Sequence, residues 1–359
     1  MIYIHVPFCK SRCTYCDFFS VVPRDGRPME RYTEALCAEI RRRAAEMDGE
    51  LNTLYFGGGT PSVLPLEALS RILLTLEECG HGGPYTEFTL EANPDDIVQN
   101  GLPYLESLQQ LGVNRLSLGV QSFDDNLLRW MNRRHDAAGA REAVRLAREA
   151  GIGNLSLDLI FGLSNLSLDV WEQTIDQALS LKPEHISCYQ LTVEGESALA
   201  RMLEAGQYRE APEETCRAQY DLLCRKLGEK GYNHYEISNF ALPGFEAVHN
   251  GGYWSRRPYV GLGPSAHSFS GHRRCWNDSE LEGYRLTAET LSAEDENVER
   301  IMLALRTARG VDAAFLEANS MPGSIDSLVQ AGALVRQGSR YRIPEDHFFT
   351  SDDIIRQLI

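Results

Sequence analysis

Three cysteines within the first sixteen residues constrain this chain more than any other feature. Cys9, Cys13 and Cys16 stand in Phe8-Cys-Lys-Ser-Arg-Cys-Thr-Tyr-Cys-Asp-Phe18, directly after the apolar stretch Met1–Val6. The spacing C-x3-C-x2-C brings three thiolates onto one short loop. That suits one face of a cubic iron–sulfur cluster, because each short segment lets successive sulfurs reach different irons. A fourth cysteine at the next ligand-like position is missing, and no second C-x2-C or H-x3-H pair occurs. Structural zinc, which usually takes four protein ligands in two pairs, is therefore disfavoured. A [4Fe–4S] cluster on three protein ligands leaves one iron open to a small chelating cofactor; a redox or zinc-binding loop is the competing reading. Cys37, Cys79, Cys188, Cys216, Cys224 and Cys275 are scattered and read as ordinary thiols, since no secretory signal is visible and the chain is expected to be cytoplasmic.

Behind this loop the sequence alternates short β-branched or aromatic runs with segments of helical periodicity. Strands are predicted at Met1–Val6, Asn52–Phe56, Glu87–Glu91, Arg115–Gly119, Asn154–Ile160 and His185–Thr192. Helices are predicted at Met29–Met47, Pro65–Cys79, Gly101–Leu111, Ala137–Ala150 and Ser167–Ser180. Such alternation implies an α/β fold with a parallel sheet and right-handed crossovers, and chemistry on the loops after the strands' carboxyl ends. The unusual residues fall there. Phe56-Gly-Gly-Gly-Thr-Pro-Ser62 follows the second strand, where Gly58, Gly59 and Thr60 let backbone approach a ligand. Glu91 ends the third strand and Gln121 follows the fourth. Asp158 is a charge inside the apolar run Leu157-Asp-Leu-Ile-Phe161 and needs a partner. Helix N-capping is the preferred reading for Asn93 and Asp124.

On these motifs the chain resembles the radical S-adenosylmethionine (SAM) family, and more narrowly its oxygen-independent coproporphyrinogen III oxidase-like branch, which opens Y-x-H-x-P-F-C and continues C-x-Y-C-D-F. The likeness covers nearly the whole chain. It implies an open (β/α)6 partial TIM barrel with a small C-terminal domain, a [4Fe–4S] cluster on Cys9, Cys13 and Cys16, and SAM at its open iron. It further implies Tyr3, Gly58, Gly59, Thr60, Glu91, Gln121, Arg133 and Asp158 as SAM contacts, with Arg133 on the carboxylate and Asp158 on the ribose. One departure is local: the usual Pro-x-Gln after Gly162-Leu163 is Ser164-Asn-Leu166.

Three units are expected: residues 1–240 as the barrel, 241–290 as a glycine- and aromatic-rich segment in a loop-like setting, and 291–359 as a winged-helix-like α+β module. The middle segment holds His249-Asn-Gly-Gly-Tyr-Trp254. This resembles the H-N-x-x-Y-W motif of the branch's haem-chaperone subgroup and implies His249 as axial haem ligand, with His267 as its rival and Arg256, Arg257, Arg273 and Arg274 near the propionates. The implied activity is transfer of haem to apo-haemoproteins such as respiratory enzymes. The alternatives are oxygen-independent coproporphyrinogen III dehydrogenase and another tetrapyrrole enzyme such as a haem-degrading methyltransferase. Two features favour the chaperone over the oxidase: only eight residues precede Cys9, and Phe18 stands where the oxidase motif has another cysteine.

Charge narrows the partners. The formal net charge is −16 and the pI about 5.1, which disfavours a grip on nucleic-acid phosphates. The C-terminal residues 291–359 carry 11 Asp/Glu against 7 Arg and no Lys, so a winged-helix-like shape there does not imply DNA binding. No apolar run reaches the roughly 18 residues of a spanning helix. Peripheral contact with a membrane during haem delivery and homodimerisation are left open by the sequence.

Overall fold

In the computed structural model, which describes residues 1–47, 52–195 and 197–359, six parallel strands form the centre of one sheet. They are β1 (Ile2–Val6), β2 (Thr53–Gly58), β3 (Glu87–Ala92), β4 (Arg115–Gln121), β5 (Leu155–Phe161) and β6 (His185–Gln190), in that spatial order. Most of their residues are buried, so they read as apolar runs rather than alternating ones; in β5 every residue is buried except the half-buried Asp158, while β6 ends on the exposed Tyr189 and Gln190.

The crossovers are helical: α1 (Arg27–Arg43), α2 (Leu66–Glu78), α3 (Pro94–Gln110), α4 (Asp125–Trp130) with α5 (Ala137–Glu149), and α6 (Leu168–Ser180). Asp124, Asp136 and Ser167 cap α4, α5 and α6 by accepting backbone N–H groups. The predicted helix from Gly101 is the second half of α3: Gly101, at φ 69°, breaks the helix after its first turns.

The sheet does not close on itself. Beyond β6, after α7 (Ala198–Glu204) and α8 (Glu213–Glu229), it gains the antiparallel β7 (Asn233–Glu236) and β8 (Asn239–Ala241). Beyond β1, after α9 (Val248–Trp254), it gains β9 (Val260–Leu262), pairing Ile2 with Val260 and Ile4 with Leu262 in parallel. The expected boundary at residue 240 thus falls inside a continuous nine-stranded sheet. The reason is physical: β1 would otherwise present an unpaired edge beside the cysteine loop.

The loop-like setting expected for 241–290 is also corrected. After α9 and β9 the chain forms an antiparallel meander, β10 (His267–Phe269), β11 (Arg273–Asn277) and β12 (Leu286–Thr290). A buried ion pair ties this meander to α1. Arg43 bonds Glu39 at 3.2 Å, the Gly261 carbonyl at 2.8 Å and Ser268 Oγ at 2.9 Å. Glu39 in turn accepts from Asn277, the Gly263 amide and Tyr284. Every partner is supplied, which is what a buried charge pair requires.

The remainder packs α10 (Ala293–Leu305), α11 (Ala313–Asn319), α12 (Ser324–Gln330) and α13 (Ser351–Arg356) around the small sheet β13 (Val311–Asp312), β14 (Val335–Gln337) and β15 (Arg340–Arg342). The expected helices and hairpin are present, and β13 adds a third strand that two apolar-flanked residues could not announce. Among the described residues no helix is long and apolar enough to cross a membrane.

Candidate metal centre and cofactor pocket

The cysteine loop leaves the carboxyl end of β1 and is held from several sides. Cys9 N–H donates to the Val21 carbonyl at 3.1 Å, Thr14 N–H to that of Met131 at 3.1 Å, and Asn132 Nδ2 to that of Arg12 at 2.7 Å. His5 Nε2 lies 3.1 Å from the Phe19 carbonyl. Cys9 is buried and Cys13 and Cys16 are half-buried. Burial raises the Cys9 and Cys16 thiols above their ordinary range, Cys16 to about 11. Binding of a metal by Cys9 and Cys16 must therefore expel protons that these thiols otherwise retain at neutral pH.

Beneath the loop opens a cavity of about 390 Å³. Its walls bring together Cys9, Cys13 and Cys16 with Gly58, Gly59, Thr60, Glu91, Gln121, Arg133 and Asp158. All of these were singled out in sequence; the cysteines, Gly58, Gly59, Thr60, Glu91 and Gln121 come from the carboxyl ends of β1 to β4 or the loops just after them, Asp158 from the middle of β5, and Arg133 from the turn between α4 and α5. Two expected residues are elsewhere: Tyr3 lines a neighbouring cavity, and His249 lines neither.

The groups are held by specific bonds. Arg133 Nη1 lies 3.3 Å from Cys13 Sγ, and its Nη2 donates to Asn93 Oδ1 at 2.5 Å and to the Gly119 carbonyl. Among the described residues, Arg133 Nε is buried without a partner. Glu91 accepts from Tyr55 Oη at 2.7 Å and from the Gly58 amide at 3.2 Å; burial pushes its carboxyl up to about 7 against those bonds. Asp158 accepts from Ser117 Oγ at 3.0 Å and Ser156 Oγ at 3.3 Å. Burial raises its pKa, opposed mainly by the nearby Arg115. Gln121 sits at φ 66° beside a register shift in β4, an irregularity that re-aims its side chain into the cavity.

Some expectations change. Asn93 occupies the N-cap of α3 but makes no capping bond; its amide instead joins Arg133 to Thr60 Oγ1 at 3.3 Å. The glycines owe their identity less to a ligand than to the loop above. A Cβ on Gly58 (φ 105°) would lie 2.6 Å from the His5 ring, and one on Gly59 would lie 2.7 Å from the Phe8 carbonyl oxygen. Sequence reasoning also missed Arg115, fully buried with an unpartnered Nε. A charged residue opening an apolar strand was the available signal.

His249 requires the largest correction. Its side chain is fully buried, with Nδ1 2.8 Å from Thr53 Oγ1 and Nε2 2.8 Å from Tyr253 Oη. Its ring packs on Tyr55 at 5.1 Å, and the α9 amides of Val248 and His249 donate to Glu87 at 2.7 and 3.0 Å. Both ring nitrogens are engaged, so His249 offers no lone pair to a cavity and acts as a strut. Its motif neighbours face outward: Asn250 lines the cofactor pocket and Tyr253 the neighbouring cavity.

The Radical SAM superfamily model matches residues 3–178. The chain is 35% identical over 317 residues to "Heme chaperone HemW" of Lactococcus lactis, covering 86% of this chain and 82% of that protein. It is 32% identical to the protein of that name in Mycobacterium tuberculosis, covering 100% and 94%. The chain belongs to the radical SAM superfamily, in its HemW branch. In fold it is similar to coproporphyrinogen III oxidase (HemN) from Escherichia coli, with TM-score 0.84 over 99% of this chain and 89% of that one, at 22% identity.

The superfamily implies a [4Fe–4S] cluster and SAM, and the residues fit both. Three thiols without a fourth suit a cluster with one open iron. The unpartnered buried Nε of Arg133 and the two half-buried carboxylates of Glu91 and Asp158 suit a ligand with a carboxylate, an ammonium and hydroxyl groups.

Proposed function

We propose that this chain is a haem chaperone: it holds a SAM-bound [4Fe–4S] cluster, binds haem as cargo and passes it to apo-haemoproteins. The cofactor part rests on one observation above the others. Arg133 places one guanidinium nitrogen on Cys13 and leaves Nε unpartnered and buried. An anionic group seated beside the cluster loop satisfies it. The haem part is supported by the likeness, over 86% of the chain or more, to proteins named heme chaperones.

When bound, the cluster supplies an open iron that can chelate the amino and carboxylate groups of SAM. The protein's own residues do the rest. Arg133 meets the carboxylate, Glu91 and Asp158 accept from ammonium and hydroxyl groups, and the glycine strip holds the cysteine loop down over the pocket.

Anaerobic reconstitution tests this directly. Wild type should bind about four irons, bind haem, and restore an apo-haemoprotein's absorbance on mixing, whereas Cys13→Ser should fail to hold a full cluster. A Cys13→Ser variant with wild-type iron content would refute the ligand set. Stoichiometric conversion of coproporphyrinogen III to protoporphyrinogen IX would replace the chaperone by the dehydrogenase, and loss of intact haem in the presence of SAM would favour a haem-degrading enzyme.

A further inference from the structure

A second cavity, of about 780 Å³, lies beside the cofactor pocket and shares with it Arg12, Cys16, Asp17 and Phe18. Its volume falls within the roughly 300–1,000 Å³ of cofactor-sized sites. One wall is aromatic, from Tyr253, Tyr259 and Phe269; Phe18 and Phe19 come from the cysteine loop. Two histidines line it. His5 has Nδ1 3.1 Å from Tyr3 Oη and Nε2 3.1 Å from the Phe19 carbonyl. His267 makes no side-chain hydrogen bond among the described residues, is exposed, and has its ring supported by stacking on Trp276 at 6.1 Å.

The charges are asymmetric. Arg256 and Arg274, both lining this cavity, share the single carboxylate of Glu299, and Arg274 reaches Glu289 only at 3.5 Å. Arg256 also lies over the Phe269 ring at 4.7 Å. Arg256 also donates through Nη2 to the Gly271 carbonyl at 3.0 Å, so the two guanidiniums, with one shared carboxylate between them, keep a net positive charge for ligand carboxylates in a protein otherwise strongly acidic.

We infer that this cavity, rather than the neighbourhood of His249, seats a flat iron tetrapyrrole, with His267 as axial ligand and Arg256 and Arg274 meeting its carboxylates. The inference rests on the haem-binding reading above and assigns its place. An aromatic slot accepts the macrocycle, an unengaged imidazole supplies the lone pair that iron requires, and the paired arginines orient the acidic edge. His249, sealed between Thr53 and Tyr253, holds the wall through Tyr253 without touching the ligand.

The test is a titration of cluster-reconstituted, SAM-loaded protein with haemin, followed in the Soret region. Wild type should show a histidine-type band saturating near one equivalent. His267→Gly should lose it with at least a tenfold fall in affinity, and free imidazole should restore it; His267→Cys should move the band to a thiolate position. His249→Leu should retain the histidine-type band, and Arg274→Ala should weaken binding several-fold. An unchanged band and affinity in His267→Gly, with the band lost in His249→Leu, would overturn the seat while leaving haem binding intact. No saturable binding by wild type would overturn the haem reading itself, and the seat with it.

Discussion

At the scale of single residues, the pocket depends on charges that have lost their water. Arg133 should be the most sensitive: removing one partner of a buried charge pair costs about 2–5 kcal/mol, so Arg133→Ala should weaken SAM binding to the reconstituted protein by at least tenfold in calorimetry. Unchanged affinity would remove Arg133 from the carboxylate. His249 makes a different prediction. Burial, helped by the amino terminus and Arg115, lowers its pKa to about 3, against about 6.5 in an unfolded chain. Below pH 6.5 the unfolded chain therefore takes up a proton that the folded chain refuses. Stability from this residue falls as pH drops, by about 1.4 kcal/mol per pH unit. Glu91 and Glu236, each raised to about 7 mainly by burial, act oppositely, retaining protons when folded and losing that advantage as pH rises toward 7. The comparison between variants isolates the histidine: across pH 6 to 4, urea unfolding of wild type should lose stability more steeply than His249→Leu. Parallel slopes would mean that His249 is not held neutral.

At the scale of elements, the close approach of β9 to β10 is the most fragile join. A Cβ on Gly261 would fall on the carbonyl of His267, and the same glycine's carbonyl receives the buried Arg43. Gly261→Ala should destabilise the protein by about 1–3 kcal/mol in denaturant unfolding, with haem affinity falling more than SAM affinity. A wild-type midpoint would show that the two strands can separate freely. Elements were legible where their pattern was local. The six parallel strands announced themselves as apolar runs, and Asp124 could be read as a cap because capping is settled within a few residues. Strands β7, β8 and β9 have only three or four residues each, and their partners lie far away in sequence, so nothing local marked them.

For the molecule as a whole, most residues expected at the cofactor line one pocket, and Tyr253, Arg256, His267 and Arg274, expected near haem, line its neighbour. Cys9, Cys13, Cys16 and Asp158 could be named because metal-binding spacing or a charge inside an apolar run makes them conspicuous, whereas Arg133 was reached only through the family resemblance. Asn93, Tyr55 and His249 were misread or passed over because their roles depend on where each side chain points, and only packing decides that. The H-N-x-x-Y-W segment shows the limit plainly. Its histidine is the chemically obvious ligand, yet the α9 turn directs it inward to Thr53 and leaves Asn250 and Tyr253 to face the cavities.

Arg12, Cys16, Asp17 and Phe18 line both cavities at once, so one strip of the cysteine loop belongs to both walls. Such a strip is a mechanical part held in common. On the proposed reading, drawing Cys16 toward a cluster on one side would reposition Phe18 on the other, and a macrocycle pressing on Phe18 would push back on Cys16. Thermodynamic reciprocity then fixes the relation: whatever factor one occupant lends to the affinity of the other is returned unchanged. On the same reading, this shared strip would let the presence of a cluster be felt at the haem seat, and the presence of haem at the cluster.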